Sequence, residues 1–296
     1  MRYRPFGATG KAVSAVSLLL REAPNMTTPQ SWRSLVFAAM ENGVNCFELA
    51  AGLDVIALGV GEALRAVERR LIFLGYRLRG DRRTQLTAQA IAQSVRVGLE
   101  KTGAGYFDLL VIDETAYETL APDALIYLAD LRATGQALQL GLVGEGPMVD
   151  ECIRSGAFDV LETPFNLMSD GKARRRIKDA ASANMVLVGY DLIPNSLPRA
   201  SSEPIRAGLL RRAAGPLATA GTYAFLHETP NWTSDELCVA YALTEPAFAT
   251  FRAEVFRAEA LVRLCSATDK DLPTGVAAQI EMARFSGESI SEKRQA

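Results

Sequence analysis

An alternation of short apolar segments with amphipathic segments predicts that this chain is an α/β protein, specifically a (β/α)8 or TIM barrel that begins with an N-terminal hairpin. Eight strand-like segments alternate with eight helical ones, in repeats of the length that such a barrel requires. The 296 residues are 49% hydrophobic, which suffices for one large core. An open doubly wound sheet is the alternative. Against it, no Gly-x-Gly-x-x-Gly motif follows the first strand, so a Rossmann dinucleotide site is unsupported.

The strands are predicted from apolar runs bounded by turn residues. Residues 1–10 predict the hairpin, because alternating side chains are followed by turn glycines. The segment 105–114 is the most informative barrel strand. Its apolar run is interrupted by one carboxylate and ends on two acids, as expected for a strand buried on both faces with charge at its tip. The eight barrel strands are expected at 13–20, 44–49, 71–75, 105–114, 138–143, 158–163, 185–190 and 247–251.

Helices are predicted between these strands. The first has an N-cap at Thr28 and Pro29 in its first turn, and it ends before Gly43. Further helices are expected at 56–70, 87–101, 122–134, 147–154, 172–184, 233–243, 257–265 and 273–285. Residues 191–231 form a longer irregular insertion, and residues 286–296 form a flexible C-terminal tail. The barrel therefore makes up a single domain, residues 1–285.

The composition argues against several classes of function. The net charge is −2 and the basic residues are dispersed, so nucleic acid is not an expected partner. No apolar run approaches the roughly 18 residues of a membrane span, and no signal-peptide pattern opens the chain. Membrane insertion is therefore not expected, and a cytoplasmic location is. Cys46, Cys152, Cys238 and Cys265 lack the spacing of a metal site, so no metal is expected and reduced core thiols are favoured.

A series of short motifs follows the chain in a regular order. They are RPFGATG at 4–10, GVNCFELA at 43–50, LGVGEAL at 58–64, DLLVI at 108–112, Gly135 with Gln136, Gly141, and FNL at 165–167. Their order and spacing resemble the aldo-keto reductase superfamily over residues 1–285. The resemblance implies a TIM barrel with an N-terminal hairpin. It also implies a family chemistry in which a nicotinamide nucleotide reduces a carbonyl at the C-terminal ends of the strands.

The resemblance also implies that the catalytic residues of the family are lost. The family uses an aspartate, a tyrosine, a lysine and a histidine, and this sequence has Glu48, Leu53, Arg77 and Asp113 at those four positions. Leu53 has no proton to donate, so the acid step is absent. Arg77 stays charged, and we expect Glu48 and Asp113 to hold it in an ion-pair cluster that plugs the barrel mouth. A degenerate member with no functional catalytic residue is the favoured interpretation.

Three tyrosines elsewhere in the sequence are candidates to donate the proton that Leu53 cannot. Strand alternation points Tyr76 toward the helices, and Tyr106 lies at the wrong end of its strand. Tyr190 is better placed, at the end of the seventh strand. The resemblance implies that its ring stacks on the nicotinamide, and packing in the core is the other interpretation.

A nicotinamide site is implied only in part. The serine–asparagine pair with which the family binds the carboxamide corresponds to Val143 and Gly144, and its glutamine corresponds to Glu162, so these contacts are lost. Glycine turns and helix N-termini can still offer backbone N–H groups to a pyrophosphate. No basic cluster marks a 2′-phosphate site, which favours NAD(H) over NADP(H). The candidate cofactor-binding residues are Gly141, Val143, Glu162, Tyr190, Asp191, Leu192, Ile193, Gly208, Leu209, Arg257, Glu259 and Arg263.

Three functions remain open on the sequence. The first is an NAD(H)-binding regulator without enzymatic activity. The family includes such members, and a resemblance to one that regulates bacterial cell division implies protein partners, namely the FtsZ ring and the histidine kinase DivJ. The second is an active NAD(P)H-dependent oxidoreductase with a non-standard proton donor. The third is a scaffold that binds no nucleotide.

Overall fold

Eight parallel strands close into a barrel in the computed structural model of the chain, which describes residues 1–194 and 223–295. In chain order the strands are β1 Tyr3–Pro5, β2 Ala12–Ser14, β3 Val16–Leu20, β4 Cys46–Ala50, β5 Phe73–Leu78, β6 Leu109–Asp113, β7 Leu140–Val143, β8 Val160–Pro164, β9 Val186–Tyr190 and β10 Phe248–Ala253. The first two form an antiparallel hairpin. The barrel closes where β10 pairs with β3. The predicted TIM barrel with an N-terminal hairpin is confirmed, and the open-sheet alternative is wrong.

Helices connect successive barrel strands. In chain order they are α1 Pro29–Glu41, α2 Asp54–Leu64, α3 Ala88–Thr102, α4 Glu114–Glu118, α5 Pro122–Ala133, α6 Pro147–Ser155, α7 Gly171–Ser182, α8 Phe225–Glu228, α9 Ser234–Ala242, α10 Ala258–Ala267 and α11 Val276–Gln295. The Thr28 hydroxyl accepts a hydrogen bond from the Ser31 N–H at 3.3 Å, which confirms the predicted N-cap of α1. In the described part of the chain, no helix has the length and hydropathy needed to cross a bilayer.

Two strands extend beyond their predicted ends. The prediction for β5 stopped at residue 75, but the strand continues to Leu78 and includes Arg77. Likewise, β10 continues past residue 251 to Ala253 and includes Arg252. Both arginines point into the barrel, where buried carboxylates bind them. The apolar pattern in the sequence ends at the first charged residue. The strand itself continues, because carboxylates from other strands pair with that charge in the folded protein.

Two boundaries near the N-terminus also differ from the prediction. The apolar run 13–20 divides at Ala15 between the hairpin strand β2 and the barrel strand β3. The helix expected at 56–70 ends at Leu64, and a 3-10 turn, Arg69–Leu71, follows it. The short helix α4 was not predicted at all.

Near the C-terminus, the last helix is longer than predicted. Helix α11 continues to Gln295, beyond the expected end at residue 285, so the backbone of residues 286–295 is helical. The flexibility of residues 286–296 stays a prediction. Of the insertion expected at 191–231, the residues at its two ends are described, and they include α8.

The hairpin closes the N-terminal end of the barrel. Phe6 is fully buried there, and its ring centroid lies 4.2 Å from that of Phe73. Next to it, Lys11 Nζ contacts the Asp108 carboxylate at 2.5 Å, and Arg69 contacts the other oxygen of this carboxylate at 2.9 Å. The single acid within the apolar segment 105–114 is therefore paired at the base of the barrel, opposite the end where a site is expected.

Two glycines let α2 pack closely between its neighbours. A Cβ at Gly59 would lie 2.4 Å from the carbonyl oxygen of Pro29 at the start of α1. A Cβ at Gly61 would lie 2.7 Å from the carbonyl oxygen of Lys101 near the end of α3. Because backbone atoms cannot move as a flexible side chain can, each position requires glycine.

The substitution Gly59→Ala is expected to destabilise the protein, although alanine is the better helix former. The overlap with Pro29 and Trp32 should outweigh the gain in propensity and cost about 1–3 kcal/mol in the free energy of unfolding. Urea unfolding measures this change. Gly171→Ala, at the first position of α7 with open space around it, is the matched control and should be neutral. Equal stability of the two variants would contradict the packing argument.

Candidate functional site

An open cleft of about 1450 Å³ lies at the C-terminal end of the barrel; we call it the mouth cleft. Its walls come from the ends of the barrel strands and from α9 and α10. Small-molecule sites commonly occupy roughly 300–1,000 Å³, so the cleft has room for a large ligand. The predicted site residues that line it are Arg77, Asp113, Val143, Tyr190, Asp191, Leu192, Ile193 and Arg263.

The other predicted site residues lie elsewhere. Glu48 and Glu162 are fully buried inside the barrel, and Glu48 pairs in register with Gly75, one layer below Arg77. Gly141 also lies in the interior, next to side chains of Leu109, Val111 and Val160. The remaining predicted positions either do not line the cleft or lie outside the described residues. Leu53 precedes α2, Arg257 and Glu259 open α10, and Gly208 and Leu209 lie outside the described residues.

Four buried charged side chains form a network below the mouth cleft, which we call the barrel cluster: Glu48, Arg77, Glu162 and Arg252. Arg77 Nε donates to Glu48 Oε1 at 2.5 Å, and Arg77 Nη2 donates to Glu162 Oε2. From β10, Arg252 Nη2 donates to Glu162 Oε1 at 3.0 Å and lies 2.8 Å from Glu48 Oε2. Two positive charges therefore balance two negative ones, and the most exposed of the four side chains, Arg77, is only 16% exposed.

The predicted pair between Asp113 and Arg77 is wrong in detail. The Asp113 carboxylate accepts hydrogen bonds from the Ala116 N–H at 2.6 Å and from the Gly80 N–H at 3.3 Å. It is the N-cap of α4, where a negative charge also interacts favourably with the helix dipole. The second carboxylate that binds Arg77 is Glu162 and not Asp113, and Arg252 is an additional member of the barrel cluster.

Arg252 is a member of the barrel cluster that was not among the predicted site residues. Its guanidinium is 1% exposed, and its Nη1 also contacts Cys46 Sγ at 3.3 Å. One local signal existed, because strand alternation places Arg252 on the same side as Thr250, which is fully buried. An arginine on the buried side of a strand requires a carboxylate partner, but the sequence does not say which one.

The two glutamates differ in pKa although they share partners. Burial opposes ionisation of Glu48, but the charges of Arg252 and Arg77 outweigh it and lower the pKa to about 2. Burial, followed by the negative charge of Glu48, raises the pKa of Glu162 to about 7, although both arginines act in the opposite direction. Because each carboxylate acts on the other, the two titrate as a pair. A proton that enters the barrel cluster as the pH falls therefore goes to Glu162 first.

Neither Leu53 nor the tyrosines considered for the acid step are good proton donors. Leu53, half-buried at the start of α2, packs on the hydrophobic core and has only a hydrocarbon side chain. Tyr190 lines the cleft, but burial and, after it, the charge of Glu145 raise the pKa of its hydroxyl, which makes it a weaker acid. As strand alternation predicted, Tyr76 faces the helices, where its ring stacks on Phe107 at 4.6 Å.

Some features of the mouth cleft suit a nucleotide and others do not. The partly buried ring of Tyr190 lines the cleft, and four residues of α10 line it too. The N-cap of α10, Arg257, makes no side-chain capping hydrogen bond, so this helix start retains N–H groups for an anion. Val143 and Gly144, in contrast, offer no polar side chain. Among the residues that the structure describes, no group of three or more His, Cys, Asp or Glu side chains is arranged to hold a metal ion.

The closed barrel and the cleft at its strand ends define a TIM-barrel protein with its candidate site at the usual face. The model of the Aldo/keto reductase family matches residues 20–284, and the chain belongs to this family. None of the curated proteins that were compared with the chain matches it.

Solved structures of aldo-keto reductases share the fold. The holo form of aldo-keto reductase AKR11C1 from Bacillus halodurans is 17% identical, with a TM-score of 0.75 and 96% of each chain covered. Its apo form is also 17% identical, with a TM-score of 0.72 over 96% of each chain. The thermostable aldo-keto reductase Tm1743, in complex with the inhibitor epalrestat, is 18% identical with a TM-score of 0.73, over 96% of this chain and 99% of that one. At this level of identity the likeness concerns the fold alone.

The raised pKa of Glu162 predicts an unusual pH dependence of stability. Because folding raises this pKa from 4.5 to about 7, the folded state holds the proton more tightly than the unfolded chain does. Protonated Glu162 therefore contributes on the order of 3 kcal/mol to the free energy of unfolding below pH 4.5, and this contribution is lost as the pH rises through about 7. Glu162→Gln cannot titrate, so urea unfolding between pH 4.5 and 8 should show that this loss is missing from the variant.

Two further variants serve as a control and as a test of the cause of the raised pKa. Glu254→Gln removes a carboxylate at the rim of the cleft and should keep the pH dependence of the unaltered protein. Glu48→Gln should weaken the dependence in the same pH window, because the charge of Glu48 is one cause of the raised pKa of Glu162. If Glu162→Gln keeps the full pH dependence, the assignment of the proton to Glu162 is wrong.

Proposed function

We propose that this chain is a catalytically inactive member of the aldo/keto reductase family that binds NAD(H) and acts as a regulatory protein. The observation that carries the proposal is the barrel cluster together with Leu53. By resemblance to the family, Arg77 stands where a lysine would acidify a tyrosine, and two glutamates bind its guanidinium. An arginine stays protonated far above neutral pH, so it does not relay a proton, and Leu53 has none to give.

The described residues support nucleotide binding more than hydride chemistry. A bound nicotinamide nucleotide would supply the hydride in this family's reaction. Here the Tyr190 ring would stack on the nicotinamide, and the uncapped start of α10 would contact a phosphate. The carboxamide would lack the side-chain hydrogen bonds that Val143 and Gly144 replace. These residues would hold the nucleotide as a ligand without activating a carbonyl.

The charges of the cleft favour NAD(H) over NADP(H). Arg21 pairs with Glu254 at 2.7 Å, while Arg77 and Arg252 are bound within the barrel cluster. Of the arginines that line the described part of the cleft, this leaves Arg263 for a ligand. The described part of the cleft therefore offers a 2′-phosphate one exposed arginine and no basic cluster.

A protein that binds NAD(H) without consuming it can report nucleotide levels to a partner, because a ligand shifts the populations of states that it binds differently. The sequence resemblance to KidO, an NADH-binding regulator of bacterial cell division, suggests the FtsZ ring and the histidine kinase DivJ as protein partners. This part of the proposal rests on that resemblance alone. The four cysteines are free and buried, in agreement with a reducing compartment such as the cytoplasm.

An active NAD(P)H-dependent oxidoreductase with a non-standard proton donor is the second candidate. The observation in its favour is Glu162, because a carboxyl group with a pKa of about 7 can carry a proton at neutral pH. Against it, this carboxyl group is fully buried and is bound by Arg77 and Arg252, so no carbonyl reaches it without rearrangement of the barrel cluster.

Tyr190→Ala is expected to weaken NADH binding about tenfold, because it removes the aromatic face on which the nicotinamide would stack. Titration of the purified protein with NADH, followed by tryptophan fluorescence or calorimetry, measures the Kd. Tyr3→Ala, in the hairpin at the opposite end of the barrel, is the matched control and should bind NADH as the unaltered protein does. An absence of binding to the unaltered protein would favour the scaffold without nucleotide.

The unaltered protein is expected to show no sustained oxidation of NADH with a panel of aldehydes and ketones, because the barrel mouth lacks the acid that completes carbonyl reduction. Absorbance at the nicotinamide band measures turnover against a sample without protein. Turnover that survives Tyr190→Phe but is abolished by Glu162→Gln would support the enzyme and remove the proposal of inactivity.

A further inference from the structure

Carboxylates surround the end of the mouth cleft at which Tyr190 lies. Asp191 follows Tyr190 directly and has a φ of 56°, and Glu145 follows the end of β7. Both line the cleft, as does Glu114, whose Oε1 accepts a hydrogen bond from the Gly146 N–H at 2.7 Å. Three carboxylates from three different strand ends therefore line the cleft, and the charges of Glu145 and Glu114 both act on Tyr190.

The positive charge nearest to Tyr190 is partly offset by ion pairs. Arg77 is bound by both glutamates of the barrel cluster, and its charge lowers the pKa of Tyr190 less than burial and the charge of Glu145 raise it. Burial and then the charge of Glu145 raise the pKa of Asp191, and the same two causes lead the rise in the pKa of Tyr190. In both groups burial is the larger cause, and the second cause, the charge of Glu145, agrees with the position of this carboxylate in the cleft.

We propose that the mouth cleft discriminates between the two oxidation states of the nicotinamide nucleotide and binds the oxidised form more tightly. This inference rests on the proposed function, since it concerns the same site. The two forms have the same adenosine and phosphates and differ by one positive charge on the nicotinamide ring. Contacts with the adenosine and phosphates are the same for both forms and cancel in the ratio of the two affinities. This ratio therefore reports the electrostatic field that acts on the nicotinamide ring near Tyr190.

Two physical effects act in the same direction. A positively charged ring is attracted to the carboxylates of Glu145 and Asp191, whereas the neutral reduced ring is not. The face of Tyr190 adds a cation–π attraction for the oxidised ring only. Because Glu145 and Asp191 are solvent-exposed, each effect is modest, and together they correspond to about tenfold tighter binding of NAD⁺. A regulator with this preference would respond to the ratio of the two forms.

Calorimetric titration of the full chain with NAD⁺ and with NADH tests the inference. The unaltered protein should bind NAD⁺ about tenfold more tightly, and Glu145→Gln should reduce this ratio by roughly threefold. Glu145→Lys changes the charge by two units and should therefore reduce the ratio roughly ninefold, to nearly equal affinities. Asp235→Asn is the control, because it removes a cleft carboxylate that stands on α9 and not at the strand ends around Tyr190. It should leave the ratio unchanged.

The failures are distinguishable. If both nucleotides bind with equal affinity, or NADH binds more tightly, the inference is overturned while the proposed function stands. The same conclusion follows if the Glu145 variants keep the ratio of the unaltered protein, or if Asp235→Asn changes it as much. If neither nucleotide binds, the proposed function fails, and the inference fails with it.

Discussion

Two glutamates and two arginines buried across the top of the barrel are the interaction on which the rest of the mouth depends. Glu48, Arg77, Glu162 and Arg252 come from β4, β5, β8 and β10, so the network joins opposite walls of the barrel. Burying an ion costs several kcal/mol, and the loss of one partner from a buried pair typically costs about 3–5 kcal/mol. Removal of any one of the four side chains would therefore leave a buried charge without its full set of partners.

Under the proposed function, the barrel cluster accounts for a family fold without the chemistry of the family. The strands still deliver side chains to one face, and the cleft is still open there. The charged groups on the β4 and β5 strands, however, bind each other instead of tuning a proton donor. Function depends on such a site and not on the fold that presents it. The cleft has the aromatic ring of Tyr190 in its wall, and the proposal of a bound ligand depends on this ring.

Much of the fold was predictable because the evidence for each element is local. Apolar runs of strand length and capped amphipathic helices place every barrel strand and most helices within a few residues of where they lie, although α4 was not predicted and α11 is longer than predicted. Two errors in the strands concern charge: β5 and β10 were ended too early because Arg77 and Arg252 interrupt the apolar pattern. Asp113 was assigned to the wrong partner because a carboxylate at a strand tip serves equally well as an ion-pair partner or as a helix cap.

The sequence by itself determined the barrel and the absence of a proton donor at Leu53, since strand and helix periodicity is local and a leucine has no ionisable group in any fold. Only the tertiary structure decided which carboxylates bind the arginines. The partners of Glu162 lie 85 and 90 residues away along the chain. They meet because closure of the barrel sets the register of every strand, and the resulting balance between burial and charge fixes which glutamate holds a proton.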